Sequence, residues 1–261
     1  MGNELLLGMV QDTNSNYLCR VVRGMGGRVS RIAMLPDDLN AIVAELASAM
    51  DRRAQLIFTC GGLGPTDDDM TLSAIAEATQ RPLELDDEAR DFVALRYREL
   101  ADAAFVASAE LTESRLKMAR LPRGSRMLNN PVGAAPAVAL ETDRALIVAL
   151  PGVPRELKSI VEGPLQTLLV EKLGGGSYRE IELIADCGDE SVLAPILRVC
   201  AAAHPSAYIK SRARGFGPEV KFLITISAHG RDWEQVALQV DQTAEGLVSA
   251  LSSAGIHAAI Q

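Results

Sequence analysis

The sequence contains few aromatic residues, few histidines and few cysteines, and each shortage narrows what the protein can be. Aromatic residues make up 4% of its 261 residues, so a core must be built mainly from Leu, Val, Ile and Ala. There are 3 histidines, and the 4 cysteines are scattered without a CxxC pair. This composition argues against a zinc site or a disulfide framework. Scattered thiols suit a reducing compartment, so we expect a cytoplasmic protein.

Long apolar runs and basic runs are also lacking. No apolar segment approaches the ~20 residues that a membrane helix needs, and the N-terminus has no basic region typical of signal peptides. Acidic residues outnumber basic residues 34 to 26, which gives a net charge of −8. We therefore expect neither nucleic acid nor a membrane surface as a partner. The 48% of hydrophobic residues is enough to build a sizeable core.

Helical and strand-like patterns alternate along the first 80 residues. Helical spacing over residues 12–26 is followed by strand-like alternation over 28–34, a second helix from Pro36, and a short apolar strand over 55–59. A glycine-rich loop and a further helix come next. This order predicts an α/β domain with a mostly parallel sheet. The stretch GNELLLG at residues 2–8 is predicted to be a first strand that is cut short.

The rest of the chain divides at the three glycines of residues 174–176. Before them we expect helices over 86–118, an extended stretch at 126–129, a β-hairpin around the turn TDR, and a helix reaching Lys172. After them the pattern is β-α-β-β-α-β, as in a split βαβ, ferredoxin-like domain. The predicted domains are residues 1–173 and 177–261.

The stretch GGLGPTDDDMT at residues 61–71 places glycines directly before three aspartates, between a strand and a helix. Backbone N–H groups of such a loop and the following helix N-terminus favour a phosphate. The loop has no lysine, so it is not a Walker A loop. Three carboxylates would repel a phosphate unless Mg²⁺ or Mn²⁺ lay between them. The alternative is that the aspartates, Asp67 above all, only cap the next helix.

Several stretches taken together resemble the N-terminal region of CinA-type competence/damage-inducible proteins, which have a molybdopterin-binding fold. They are GNELLLG, DTNSNYL, GGLGPTDDDMT, RPLELDDEA, NPVGAAPA and PGVPRE, in the family's order over roughly residues 1–172. The tail, with HPSAYIKSRARGFG, resembles the small KH-like α+β domain that follows in this family. Four positions depart from the usual pattern: Asn3, Cys60, Ala134 and Ala137 stand where Thr, Thr, Thr and Gly are common.

The resemblance implies a three-layer α/β/α domain followed by a small KH-like domain, without the amidase domain often fused after residue ~260. It implies metal-dependent hydrolysis of a nucleotide pyrophosphate such as ADP-ribose, with Mg²⁺, Mn²⁺ or Co²⁺. The alternatives are molybdopterin binding or adenylylation, and a non-catalytic nucleotide-binding module. Asn130 to Pro136 could equally be only a connector, and Glu4 only a surface residue. A homo-oligomer, a dimer in the simplest case, is expected.

The site residues implied by the resemblance fall into two groups. Asp68 and Asp69 are expected to bind the metal and to be catalytic, one of them activating water. The substrate-binding and phosphate-binding residues are expected to be Glu4, Asp12, Asn14, Gly61, Gly62, Gly64, Thr66, Asn130, Gly133, Pro136, Gly152 and Glu156. For Asp12, Asn14 and Glu156, the alternative is a local role at a helix N-terminus.

Overall fold

A computed structural model describes residues 1–215 and 220–261, and these divide into two compact units. The first unit contains Met1–Leu18 and Arg31–Leu168, and the second contains Cys19–Ser30 and Leu169–Gln261. The second unit therefore includes a short segment from near the N-terminus as well as the C-terminal part of the chain. The GFG turn of the tail falls largely within 216–219, outside the described residues. None of the helices in the described ranges is both long and apolar enough to cross a membrane.

Three helices come first in the part of the chain before the second unit's sheet, and strands and helices follow them. In chain order they are α1 (Asn3–Leu6), α2 (Thr13–Gly24), α3 (Leu39–Asp51), β1 (Leu56–Cys60), α4 (Thr71–Ala78), β2 (Leu83–Leu85), α5 (Asp87–Asp102), α6 (Glu113–Lys117), β3 (Arg120–Pro122), β4 (Arg126–Leu128), β5 (Ala137–Glu141), β6 (Leu146–Leu150), α7 (Pro154–Glu162) and α8 (Gln166–Leu173).

The main sheet of the first unit has the strand order β1-β6-β5-β4. Strands β1 and β6 are parallel, whereas β6–β5 and β5–β4 are antiparallel. All five residues of β6 are buried, and its Ile147 and Ala149 join the core formed with α3 and α4. Leu146, Val148 and Leu150 point to the opposite face and are buried too. Both faces of the strand are therefore buried, and the α/β class is confirmed.

Two predicted strands near the N-terminus are wrong. Residues 3–6 of GNELLLG form the single helical turn α1, and residues 28–34 contain no strand. The apolar side chains of the second segment face solvent, with Val29, Ile32 and Met34 exposed by 40%, 53% and 48%. An alternating pattern gives a segment two faces, but a strand also needs a neighbour to pair with. These residues have no ladder partner among the described residues.

Smaller differences appear at helix ends. The helix predicted to reach Lys172 is interrupted between α7 and α8, where Gly163 and Pro164 stand. Glycine and proline are the residues least able to continue a helix. Helix α3 begins at Leu39, because Asp38 is its N-cap and accepts a hydrogen bond from the Ala41 N–H at 2.8 Å.

The second unit has the predicted β-α-β-β-α-β order. Its elements are β7 (Ser177–Ala185), α9 (Glu190–Ala203), β8 (Tyr208–Arg214), β9 (Lys221–Gly230), α10 (Trp233–Ser253) and β10 (Ala258–Ile260). The sheet order is β10-β7-β9-β8, and every pair is antiparallel. One core cluster joins the sheet to α9 and α10. The split βαβ arrangement predicted from the sequence is therefore confirmed for this unit.

Candidate functional site

The carboxyl ends of β1 and β6 form the floor of the candidate site. Cys60 and Leu150 are partners in the parallel pair, and the Gly61 N–H donates to the Leu150 carbonyl at 2.9 Å. A Cβ atom added to Gly152 would lie 3.4 Å from the Gly61 Cα. The loop after β1 and the loop after β6 are therefore in contact, at the sheet edge where α/β proteins bind ligands.

The start of α2 meets the same edge. Asn14 donates from Nδ2 to the Gly152 carbonyl at 2.7 Å. Its Oδ1 atom is buried and has no hydrogen-bond donor among the described residues. Asp12 accepts a hydrogen bond from the Ser15 N–H at 2.9 Å, so it has the helix-capping role that was its alternative. A buried acceptor without a partner is costly, which makes Asn14 Oδ1 a candidate ligand contact.

The glycines after β1 make room for the protein's own polar groups. A Cβ on Gly62 would lie 2.3 Å from the Thr71 hydroxyl oxygen, and one on Gly64 would lie 2.5 Å from Asp69 Oδ2. Gly61 has a φ of 98° and Gly62 a φ of 68°, values in the left-handed region that favours glycine. Thr71 is fully buried and donates to the Gly61 carbonyl at 2.7 Å. These glycines are thus required for the loop's own fold.

The three aspartates do not cap the following helix, so that alternative is wrong. Helix α4 begins at Thr71, and its N-cap residue, Met70, makes no side-chain cap hydrogen bond. Asp69 Oδ2 instead accepts hydrogen bonds from the N–H and the hydroxyl of Thr66, at 3.0 and 2.6 Å. This contact closes a tight turn that leaves Asp67 and Asp68 exposed.

The Asp68 carboxyl has a lowered pKa. Hydrogen bonding from the Thr66 side chain is the main cause, followed by a backbone hydrogen bond, and the charge of Lys117 adds a smaller effect. A hydroxyl has one proton to donate, and its direct 2.6 Å contact is with Asp69. The Thr66 hydroxyl can therefore donate to only one of the two carboxylates at a time, and the lowered pKa keeps Asp68 ionised at neutral pH.

Asn130 organises the loop formed by residues 130–136. It is fully buried, and its Oδ1 accepts from the N–H groups of Val132 and Gly133 at 3.1 and 2.9 Å. Its Nδ2 donates to the Ala135 carbonyl at 2.8 Å and to Glu156 Oε2 at 2.7 Å. All hydrogen-bonding capacity of the amide is used within the protein, so Asn130 holds the loop and Glu156 in place.

Two residues of the site were missed by sequence reasoning. Arg96, on α5, donates to the carbonyls of Gly133 and Asn130 at 3.1 and 2.8 Å. Lys117, at the end of α6, donates from Nζ to the Thr66 carbonyl. Their partners lie 34 to 51 residues away in the chain, and no local pattern carries a signal for such contacts.

The other predicted residues lie at the edges of this arrangement. A Cβ on Gly133 would lie 2.1 Å from Glu156 Oε2, so that glycine makes room for the carboxylate. Pro136 is buried and offers little surface to a ligand. Glu4 is exposed, and its carboxylate folds back over Gly2, where an added Cβ would lie 2.3 Å from Glu4 Oε1. Next to Gly2, the Met1 amino group donates to the Cys60 carbonyl at 2.7 Å.

Burial raises the pKa of the Cys60 thiol to about 12, while the Met1 amino group lowers it and Asp12 adds a smaller increase. The thiolate is the nucleophilic form of cysteine. At neutral pH this thiol is therefore in its protonated, less nucleophilic form.

The acidic residues could hold a divalent cation only if a substrate supplied further oxygen ligands. Within residues 1–215 and 220–261, no three His, Cys, Asp or Glu side chains form a cluster that could hold a metal ion. Asp68 and Asp69 supply two carboxylates, and Asp69 Oδ2 is already engaged by Thr66. Mg²⁺ commonly binds one or two carboxylates together with substrate phosphate oxygens and water. The pair therefore suits a metal that arrives with a phosphate.

Comparisons with known proteins agree with the fold of the first unit. A family described as "Probable molybdopterin binding domain" matches residues 1–170. A protein of Pyrococcus abyssi is 36% identical over 224 residues, 86% of this chain and 87% of its own length. A protein of Caldivirga maquilingensis is 36% identical over 255 residues, 97% of this chain and 95% of its own length.

One solved structure supports the same relationship. The crystal structure of the protein CinA, described as of unknown function, from Thermoplasma acidophilum is 32% identical in sequence and has a TM-score of 0.58. The match covers 64% of this chain and 93% of that chain.

Proposed function

The chain belongs to the family of probable molybdopterin binding domains, and from this premise we propose that its first unit binds a phosphorylated pterin of the molybdopterin type. The observation that carries the proposal is the buried Asn14 Oδ1, which lacks a donor at the edge where the loops after β1 and β6 meet. A pterin ring presents N–H groups that would supply that donor. A buried polar atom is expected to be hydrogen-bonded once the site is filled.

The remaining groups have roles that suit a phosphorylated ligand. Backbone N–H groups of the loop after β1 and the N-terminus of α4 favour the phosphate. Asp68 and Asp69 would hold a divalent cation against it, and Asn130 holds the Glu156 carboxylate in place. A bound divalent cation would neutralise phosphate charge, as adenylylation of the pterin requires. The family match over residues 1–170 supports this choice, while the KH-like assignment and the homo-oligomer stay predictions.

Replacing Asn14 with alanine tests the pterin proposal. We expect the affinity for molybdopterin to fall about tenfold, the equivalent of one lost hydrogen bond of about 1.4 kcal/mol. Asn16→Ala is the matched control, because Asn16 is exposed on the same helix and should change affinity less than about twofold. Fluorescence titration with the purified pterin gives both values. A folded wild-type protein that leaves the pterin unbound would reject the proposal.

Hydrolysis of ADP-ribose is the second candidate function. The comparisons give it no support, and one observation favours it: two carboxylates, one with a lowered pKa, lie on an exposed turn next to the glycines. If it is correct, AMP will be released in the presence of Mg²⁺, Mn²⁺ or Co²⁺, and Asp68→Asn/Asp69→Asn will reduce the rate at least about 100-fold. Chromatography of the products measures this, with Asp67→Asn as the control. Absence of AMP with all three metals would exclude this function.

A further inference from the structure

The loop of residues 61–69 has no basic side chain that could neutralise a bound phosphate. It contains three aspartates and no lysine or arginine. Backbone N–H groups offer partial positive charge, but three nearby carboxylates oppose a phosphate dianion. A fixed positive charge from another part of the chain would change this balance.

Lys117 brings such a charge to the loop from 51 residues away. Its Nζ donates to the Thr66 carbonyl, and Thr66 is the residue whose N–H and hydroxyl are both held by Asp69. The ammonium group is therefore tied to the corner of the aspartate turn. Its charge also acts on the Asp68 carboxylate, whose pKa it helps to lower.

Lys117 differs from the other cation of its helix. Arg115 donates to the carbonyls of Ser108 and Glu110 and stacks over the Tyr97 ring at 3.9 Å, so its guanidinium serves the local loop. An ammonium group has three N–H donors, and the Thr66 carbonyl uses one of those on Lys117. Two donors are left for an anion that lies against residues 61–69.

We propose that Lys117 binds the terminal phosphate of the ligand at residues 61–69 and thereby selects phosphorylated over unphosphorylated ligands. The inference rests on the proposed function for the identity of the ligand, since the phosphate belongs to the pterin in that case. The group that Lys117 recognises is a phosphate with at least one free, negatively charged oxygen. A compact ammonium point charge suits such a group, and the charge-assisted hydrogen bond is stronger than a neutral one.

The test measures the coupling between the Lys117 side chain and the phosphate. Titrations use three probes: molybdopterin, the same pterin after phosphatase treatment, and inorganic pyrophosphate. Lys117→Met should weaken binding of molybdopterin and of pyrophosphate about 10- to 50-fold, and binding of the dephosphorylated pterin less than about twofold. Lys117→Arg should stay within about threefold of wild type. Arg120→Met removes a nearby exposed charge and should have little effect.

The outcomes distinguish a failure of the Lys117 inference from a failure of the proposed function. Equal weakening for the phosphorylated and dephosphorylated pterins would overturn the role of Lys117. Wild-type protein that binds pyrophosphate through Lys117 but no pterin would keep the inference and reject the pterin. Wild-type protein that binds neither molybdopterin nor pyrophosphate would overturn both. Lys117→Gln, which keeps an N–H donor but removes the charge, replaces Lys117→Met if that variant does not fold, and should show the same loss.

Discussion

Replacing Gly62 with alanine is expected to destabilise the first unit by about 3 kcal/mol and to abolish ligand binding at residues 61–69. The backbone of Gly62 has a φ of 68°, which costs an L-residue about 1–2 kcal/mol. The new Cβ would also lie 2.3 Å from the Thr71 hydroxyl oxygen. Thr71 is fully buried and bonded to the Gly61 carbonyl, so relieving the clash would cost about 1–3 kcal/mol more. Urea unfolding measures the change in the free energy of unfolding.

Gly8→Ala is the matched control for this experiment. Gly8 has a φ of 69°, and nothing lies within 4 Å of an added Cβ. It carries the conformational cost without the clash, so a loss of only about 1 kcal/mol is expected. Adding Thr71→Ala to Gly62→Ala should recover part of the stability, because the clashing oxygen is removed. Equal losses for Gly62→Ala and Gly8→Ala would show that the contact with Thr71 is unimportant.

Local patterns were sufficient to predict most of the secondary structure. The hairpin of β5 and β6 follows two apolar runs around the turn TDR, where the Thr142 hydroxyl accepts from the N–H groups of Arg144 and Ala145. The β-α-β-β-α-β order of the second unit was also evident from the sequence. In both cases the signal is short in range: turn chemistry, periodicity and glycine runs specify neighbouring elements.

The failures share a physical cause, since each depended on a partner that a local pattern does not reveal. Residues 28–34 have the alternation of a strand, but no strand among the described residues forms a ladder with them. The aspartates have the composition of a helix start, yet Asp69 turns back to Thr66 and α4 begins at Thr71. Arg96 and Lys117 reach the site across 34 to 51 residues of chain. Sequence alone identified stretches that the fold brings into contact at the ends of β1 and β6, but not the side-chain contacts that join them.

Asn130→Leu is expected to destabilise the first unit by about 3 kcal/mol and to weaken pterin binding at least about tenfold. The leucine has a similar volume but leaves the Val132 and Gly133 N–H groups and the Ala135 carbonyl without their partner. Each stranded group costs about 1–3 kcal/mol when it stays buried, and less where it can reach water. Urea unfolding and the pterin titration measure the two effects.

Asn129→Leu provides the control, because the neighbouring side chain is exposed and its replacement should change the free energy of unfolding by less than about 0.5 kcal/mol.

Asn130→Asp tests the acceptor and donor roles of the Asn130 amide separately. An aspartate can still accept from the Val132 and Gly133 N–H groups, but an ionised one faces Glu156 Oε2, which the amide contacts at 2.7 Å. Two carboxylates at that distance disfavour double ionisation and raise a pKa, so this variant should become more stable as the pH falls towards 5. A variant whose stability relative to wild type does not change with pH would show that Glu156 is not held by Asn130.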